Sequence, residues 1–144
     1  MRHNLFMDIY PCQDMNRIGI RAEDKSKWER RTPLIPEHIK ALRQEGIEFV
    51  VQSSPIRAYM DEEYIEAGAV VKDSLEDCDV IMGVKEFPIK ALDKKRVYMF
   101  FSHTIKGQKH NMPMLKRIMD IGAVNANCLV INFKWFDWTR MIFI

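Results

Sequence analysis

Five short apolar runs alternate with charged or amphipathic segments along this 144-residue chain. They are Arg17-Ile18-Gly19-Ile20-Arg21, Ile47 to Gln52, Ala69-Val70-Val71, Val80 to Val84 and Val97 to Phe101. Runs this short and this continuously apolar predict strands covered on both faces. Between them, Pro36 suits the first turn of a helix running to about Gln44, with Ile39 and Leu42 facing inward and Gly46 as its stop. Ser53-Ser54-Pro55 reads as a turn. Asp61-Glu62-Glu63-Tyr64 opens a second helix, its acids at the favourable end of the dipole, and Gly68 ends it. Ser74 to Cys78 reads as a helical turn or loop, and Lys90 to Lys95 as a charged connection. Asn111 is the expected cap of a third helix from Met112 to about Asp120, with Pro113 at its start. Strands alternating with helices predict an α/β fold: an open, largely parallel sheet with helices on both faces.

The pattern divides the chain into a poorly structured leader over residues 1–16, a domain over 17–121 and a hydrophobic tail over 122–144. One domain is also what the length predicts. Net charge is +2, with 22 basic and 20 acidic residues interspersed, so neither nucleic acid nor an anionic membrane is an expected partner. The tail is interrupted by Lys134, Asp137 and Arg140 and is too short to span a bilayer comfortably. Asp8 and Asp14 break any secretory core. Cys12, Cys78 and Cys128 are odd in number and far apart, which predicts a reducing, intracellular setting rather than a disulfide framework. The histidines lack metal-ligand spacing, so no metal is expected.

Candidate chemistry gathers at two strand ends. Val80 to Val84 runs into Lys85 and Glu86, then the breaker Phe87-Pro88; Val97 to Phe101 runs into Ser102-His103-Thr104-Ile105-Lys106. In open α/β sheets ligands collect beyond the carboxyl ends of the strands, so neighbouring strands would put Lys85 and His103 side by side. A lysine near other cations and partly desolvated gives up its proton more readily and can act as a base, and imidazole titrates where acid–base catalysis needs it. Arg30 and Arg31 could fork onto substrate carboxylates, and Lys106 is a further candidate anchor. Each of these cations has an ordinary reading too, as a solvated loop residue. The six glycines form no Gly-x-Gly-x-x-Gly, P-loop or Gly-x-Ser-x-Gly, so no nucleotide cradle is expected in this chain.

Three segments together carry a resemblance: Ile20 to Leu34 (Ile-Arg-Ala-Glu-Asp-Lys-Ser-Lys-Trp-Glu-Arg-Arg-Thr-Pro-Leu), Gly83-Val84-Lys85-Glu86, and Phe100 to Lys106. They resemble the N-terminal part of lysine-ketoglutarate reductase, the first activity of the bifunctional α-aminoadipic semialdehyde synthases. The wider family includes alanine dehydrogenases and the transhydrogenase N-terminal domain. The likeness covers about residues 17–121, includes Tyr64, Ala67-Gly68-Ala69 and Asn111-Met112-Pro113, and stops at about Gly122. It implies an alanine dehydrogenase/transhydrogenase N-terminal fold without its partner Rossmann domain. It also implies NADP-dependent condensation of L-lysine with 2-oxoglutarate to saccharopine in lysine degradation. By motif, Lys85 and His103 match the acid–base pair, while Arg31 and Lys106 match positions near substrate carboxylates. NADPH is expected to bind only the complete enzyme, leaving this chain inactive alone, in the mitochondrial matrix by family or else the cytoplasm. Two rival expectations stand beside it: a non-catalytic module that associates with itself or with the full-length enzyme, and an alanine-dehydrogenase-like domain.

Overall fold

The computed structural model describes residues 17–92, 96–104 and 107–121. The leader, the tail and Lys106 lie outside the described residues. Five strands, β1 (Arg17–Ile20), β2 (Glu48–Gln52), β3 (Val70–Lys72), β4 (Val80–Met82) and β5 (Val97–Met99), form one sheet in the order β3-β2-β1-β4-β5. Every pairing is parallel, with Ile18 of β1 level with Phe49 on one side and Val80 on the other. Four of the strands are shorter than the apolar runs that predict them, while β3 keeps the length of its run and shifts one residue on, to Lys72. Arg21, Val84, Phe100 and Phe101 fall outside, although main-chain bonds such as Gly83 N–H to the Met99 carbonyl (3.0 Å) carry the pairing a step further.

Helices α1 (Pro36–Arg43) and α2 (Asp61–Glu66) cover one face. Ile39 and Tyr64 pack there with Ile20, Phe49 and Val51, all fully buried or nearly so. Burying each such side chain contributes about 1.5–3 kcal/mol. The other face carries a 3₁₀ turn at Ile89–Ala91 and helix α3 (Met112–Asp120), whose Met114 and Ile118 pack against Val50, Ile81, Phe87 and Tyr98. Alternation along β2, with Phe49 and Val51 on one side and Val50 on the other, follows from the two-residue period of a strand. Helices therefore lie on both faces, as the pattern predicts.

Pro36 starts α1 with no side-chain cap, and Gly46 and Gly68, both at positive φ, follow the ends of α1 and α2. The Asn111 cap is a different matter. A 3₁₀ turn at Lys109–Asn111 leads into α3, and Asn111 makes no side-chain cap bond; its buried amide donates instead to the His103 carbonyl at 3.4 Å.

After β3 the chain crosses back over β2 and β1 and enters the sheet on the far side of β1. The order of connection thus reverses between β1 and β4, which opens a crevice at the carboxyl ends of those two strands.

Candidate active site

Three segments meet at that crevice: the charged loop after β1, the corner after β4 and the turn after β5. They line a cavity of about 340 Å³, with Lys25, Ser26, Trp28 and Glu29 from the first, Lys85 and Glu86 from the second and His103 from the third. The pairing of β4 with β5 brings Lys85 and His103 together.

Each faces a carboxylate. Lys85 Nζ lies 3.8 Å from Glu29 Oε2, so its charged partner is an acid rather than the cations the sequence suggests. The 9 % exposed side chain of Glu29 is itself gripped by Arg31, through Nε at 2.7 Å and Nη2 at 2.6 Å. This fork holds the Glu29 carboxyl below the usual range against the opposing effect of burial, and in return raises Arg31.

His103 Nδ1 lies 3.2 Å from Glu86 Oε1, and Lys25 Nζ donates to Glu86 Oε2 at 2.7 Å. Burial pushes the Glu86 carboxyl up, but the Lys25 hydrogen bond, with lesser help from His103, wins and holds it below its ordinary value. An ionised carboxylate only accepts, so the bond requires the proton on Nδ1 and leaves Nε2 as the basic nitrogen of a neutral ring. His103 itself sits at φ +54, which costs a side-chain-bearing residue about 1–2 kcal/mol. The Glu86 contact and the Asn111 amide hold it there. Next to it, the buried Ser102 hydroxyl bonds the Thr104 hydroxyl at 2.9 Å.

The remaining candidates fall elsewhere. Arg31 stands behind Glu29, its fork already taken. Arg30 points to the 55–60 loop, donating from Nε to the Ile56 carbonyl at 3.2 Å while its own carbonyl accepts from Ala58 at 2.9 Å. Lys106 lies outside the described residues. Glu23, Lys25, Trp28, Glu29 and Glu86 also stand at the site, and the sequence pattern does not single them out. No local signal marks these acids: each has a cation within two positions, and the glutamate next to Lys85, Glu86, pairs with His103 and Lys25 instead. Among the described residues no group of three or more His, Cys, Asp or Glu could hold a metal ion, and no helix is long and apolar enough to cross a membrane.

A parallel sheet covered by helices on both faces, with its charged crevice at the switch between β1 and β4, defines an open α/β domain. The chain belongs to the alanine dehydrogenase/PNT N-terminal domain family, whose model matches residues 19–128, reaching past Gly122. It is 41 % identical over 102 residues to the mitochondrial alpha-aminoadipic semialdehyde synthase of Rattus norvegicus, covering 71 % of this chain and 11 % of that protein. The Arabidopsis thaliana synthase is 43 % identical over 108 residues, at 71 % and 10 % coverage. A saccharopine dehydrogenase (NAD(+), L-lysine-forming) of Emericella nidulans is 36 % identical over 100 residues, at 65 % and 26 %. The chain thus spans only about a tenth of the synthases' length. In fold it is similar to an L-alanine dehydrogenase (TM-score 0.60, 18 % identity, 74 % of this chain and 30 % of that one) and to the transhydrogenase from Sinorhizobium meliloti (TM-score 0.57, 22 % identity, 69 % and 31 %).

Proposed function

We propose that this chain is the substrate-side domain of a lysine–2-oxoglutarate reductase, a saccharopine dehydrogenase of the NADP-dependent, L-lysine-forming type. The observation that carries the reading is the convergence of Lys85 and His103 on one cleft, each beside a carboxylate. The chemistry needs two proton transfers. The substrate ammonium must lose a proton before its nitrogen attacks the keto carbon, and the carbinolamine hydroxyl must gain one to leave as water. Lys85 and His103 perform these transfers in the proposal, with Glu86 holding the imidazole in the tautomer whose Nε2 accepts. In this reading Lys106, with Arg30 as a more distant candidate, meets a substrate carboxylate, and Arg31, its own fork occupied, holds Glu29 beside Lys85.

NADPH belongs to the complete enzyme in this reading. The described residues do not suit a dinucleotide pyrophosphate: the main-chain amides at the end of β4 are already taken by the Glu23 carboxylate, and no glycine-rich turn joins a strand to a helix. The part assigned to this chain is therefore substrate placement and proton handling, with a mitochondrial setting supported by the name of the rat synthase.

The test has two arms. Titrated with NADPH, the chain alone is expected to show no saturable micromolar binding and to form no saccharopine above a His103→Ala control. Grafted into the rat synthase in place of its matching segment, residues 17–121 are expected to support NADPH oxidation that depends on lysine and 2-oxoglutarate and is lost with Lys85→Met. A graft that turns over pyruvate and ammonia instead would favour the alanine dehydrogenase reading. A graft with no turnover, from a chain that captures the full-length synthase, would favour an interaction module.

A further inference from the structure

Glu23 lies three residues beyond β1 and only 7 % of it is exposed. Its carboxylate turns toward the neighbouring strand rather than toward solvent. Oε1 accepts the Val84 N–H at 2.6 Å and Oε2 accepts the Lys85 N–H at 3.1 Å. These two amides are where the sheet lets go of the chain, since the last β1–β4 contact is Arg21 N–H to the Met82 carbonyl. The Val84 carbonyl is held from the opposite side by the Phe101 N–H at 3.3 Å. Gly83 completes the corner: a Cβ there would sit 2.4 Å from Phe87 Cε1 and 3.4 Å from Glu23 Oε1, so ring and carboxylate close directly over its backbone.

We propose that Glu23 is a positioning residue for Lys85: by holding the successive main-chain amides of Val84 and Lys85 it sets the point and direction at which the Lys85 side chain leaves β4 for the cleft. This deepens the proposed function, on which the part played by Lys85 rests. Stability alone does not account for the arrangement. Burial raises the Glu23 carboxyl above its ordinary value despite the two amide bonds, so the charged form is kept at a net cost in the folded chain. A carboxylate is the side chain that offers two acceptor oxygens to two adjacent N–H groups.

The test uses the full chain and Glu23→Gln, whose amide keeps the size but offers one acceptor and turns an N–H₂ toward the other donor. Hydrogen exchange is expected to become about tenfold faster at Val84 or Lys85. Exchange at Val50 and Val51 of β2 should stay unchanged, and the ¹³Cε signal of Lys85 should move while those of Lys40 and Lys116 do not. Unchanged exchange at both corner amides overturns the proposal. So does equal acceleration throughout the sheet, which would make Glu23 a general support of the fold, and so does a still Lys85 signal. If the variant does not fold, the unsubstituted chain decides: scalar couplings across the hydrogen bonds from the Val84 and Lys85 nitrogens to Glu23 Cδ are expected, and their absence overturns the proposal. None of these readouts uses a substrate, so a failed graft would count against the reading of the site and leave the fastening by Glu23 standing.

Discussion

His103 Nδ1 and Glu86 Oε1, 3.2 Å apart and seventeen residues distant in sequence, tie the turn after β5 to the corner after β4. The same carboxylate reaches Lys25 in the loop after β1, so one side chain joins all three segments of the crevice. Its low carboxyl pKa keeps it ionised at neutral pH, which dictates the histidine tautomer.

Replacing that carboxylate is expected to release the tautomer. In Glu86→Gln the side chain can present either an oxygen or an amide to the ring, and the strong preference for a proton on Nδ1 disappears. Ring ¹⁵N shifts of His103, followed to a pH at which the ring is neutral, should show the proton predominantly on Nδ1 in the unsubstituted chain and a mixture in the variant. The same mixture in both chains would mean that Glu86 does not orient the ring.

The Glu29–Arg31 fork should be visible in acid. Arg31 holds the Glu29 carboxyl low, so the pair's contribution is present above the unfolded carboxylate value of about 4.3. It is lost as pH falls through the lower folded value. Arg31→Met is expected to lower stability by about 1 kcal/mol at neutral pH, a modest figure because Arg31 is about a third exposed. Urea unfolding repeated at falling pH should bring the two chains together. A difference that does not shrink as pH falls below the unfolded carboxylate value would show that Arg31 acts through something other than Glu29.

Gly83→Ala tests how tightly the Lys85 corner is closed. The added methyl meets the Phe87 ring, which is already stacked 4.5 Å from Phe100 and edge-on to Tyr98 at 5.5 Å, so the ring has little room to retreat. Overpacking of this kind costs about 1–3 kcal/mol. Denaturant unfolding should show that loss, and adding Phe87→Leu should recover part of it. No loss in the single variant would mean that the corner yields freely.

Much of the layout was legible along the chain because local rules act there. Pro36 and Pro113 restrict φ at helix starts, Gly46 and Gly68 take positive φ past helix ends, and successive residues such as Val50 and Val51, which face opposite sides, are both buried only in a strand covered on both faces. The titratable side chains Lys85 and His103 are visible for the same reason: they follow apolar runs at strand ends. Their carboxylate partners were not. Glu23, Glu29 and Glu86 stand among alternating charges in which every acid has a cation nearby, and nothing in that pattern separates a buried acceptor from a solvated one.

The sequence by itself determined the five strands, the three helices and the two cationic strand ends, since propensity, period and φ limits are properties of neighbours in the chain. Tertiary structure decided the rest. Only the placement of β4 beside β1 brings the loop after β1 against Lys85 and His103, and with it the choice of Glu29 for Lys85, Glu86 for His103 and Glu23 for the amides between them. It also turned Asn111 from the expected cap to a brace on the His103 carbonyl. The reason is spatial in each case: a polar or charged group pairs with whatever partner the fold brings within reach, and distance in space, unlike period or propensity, is not written in the order of residues.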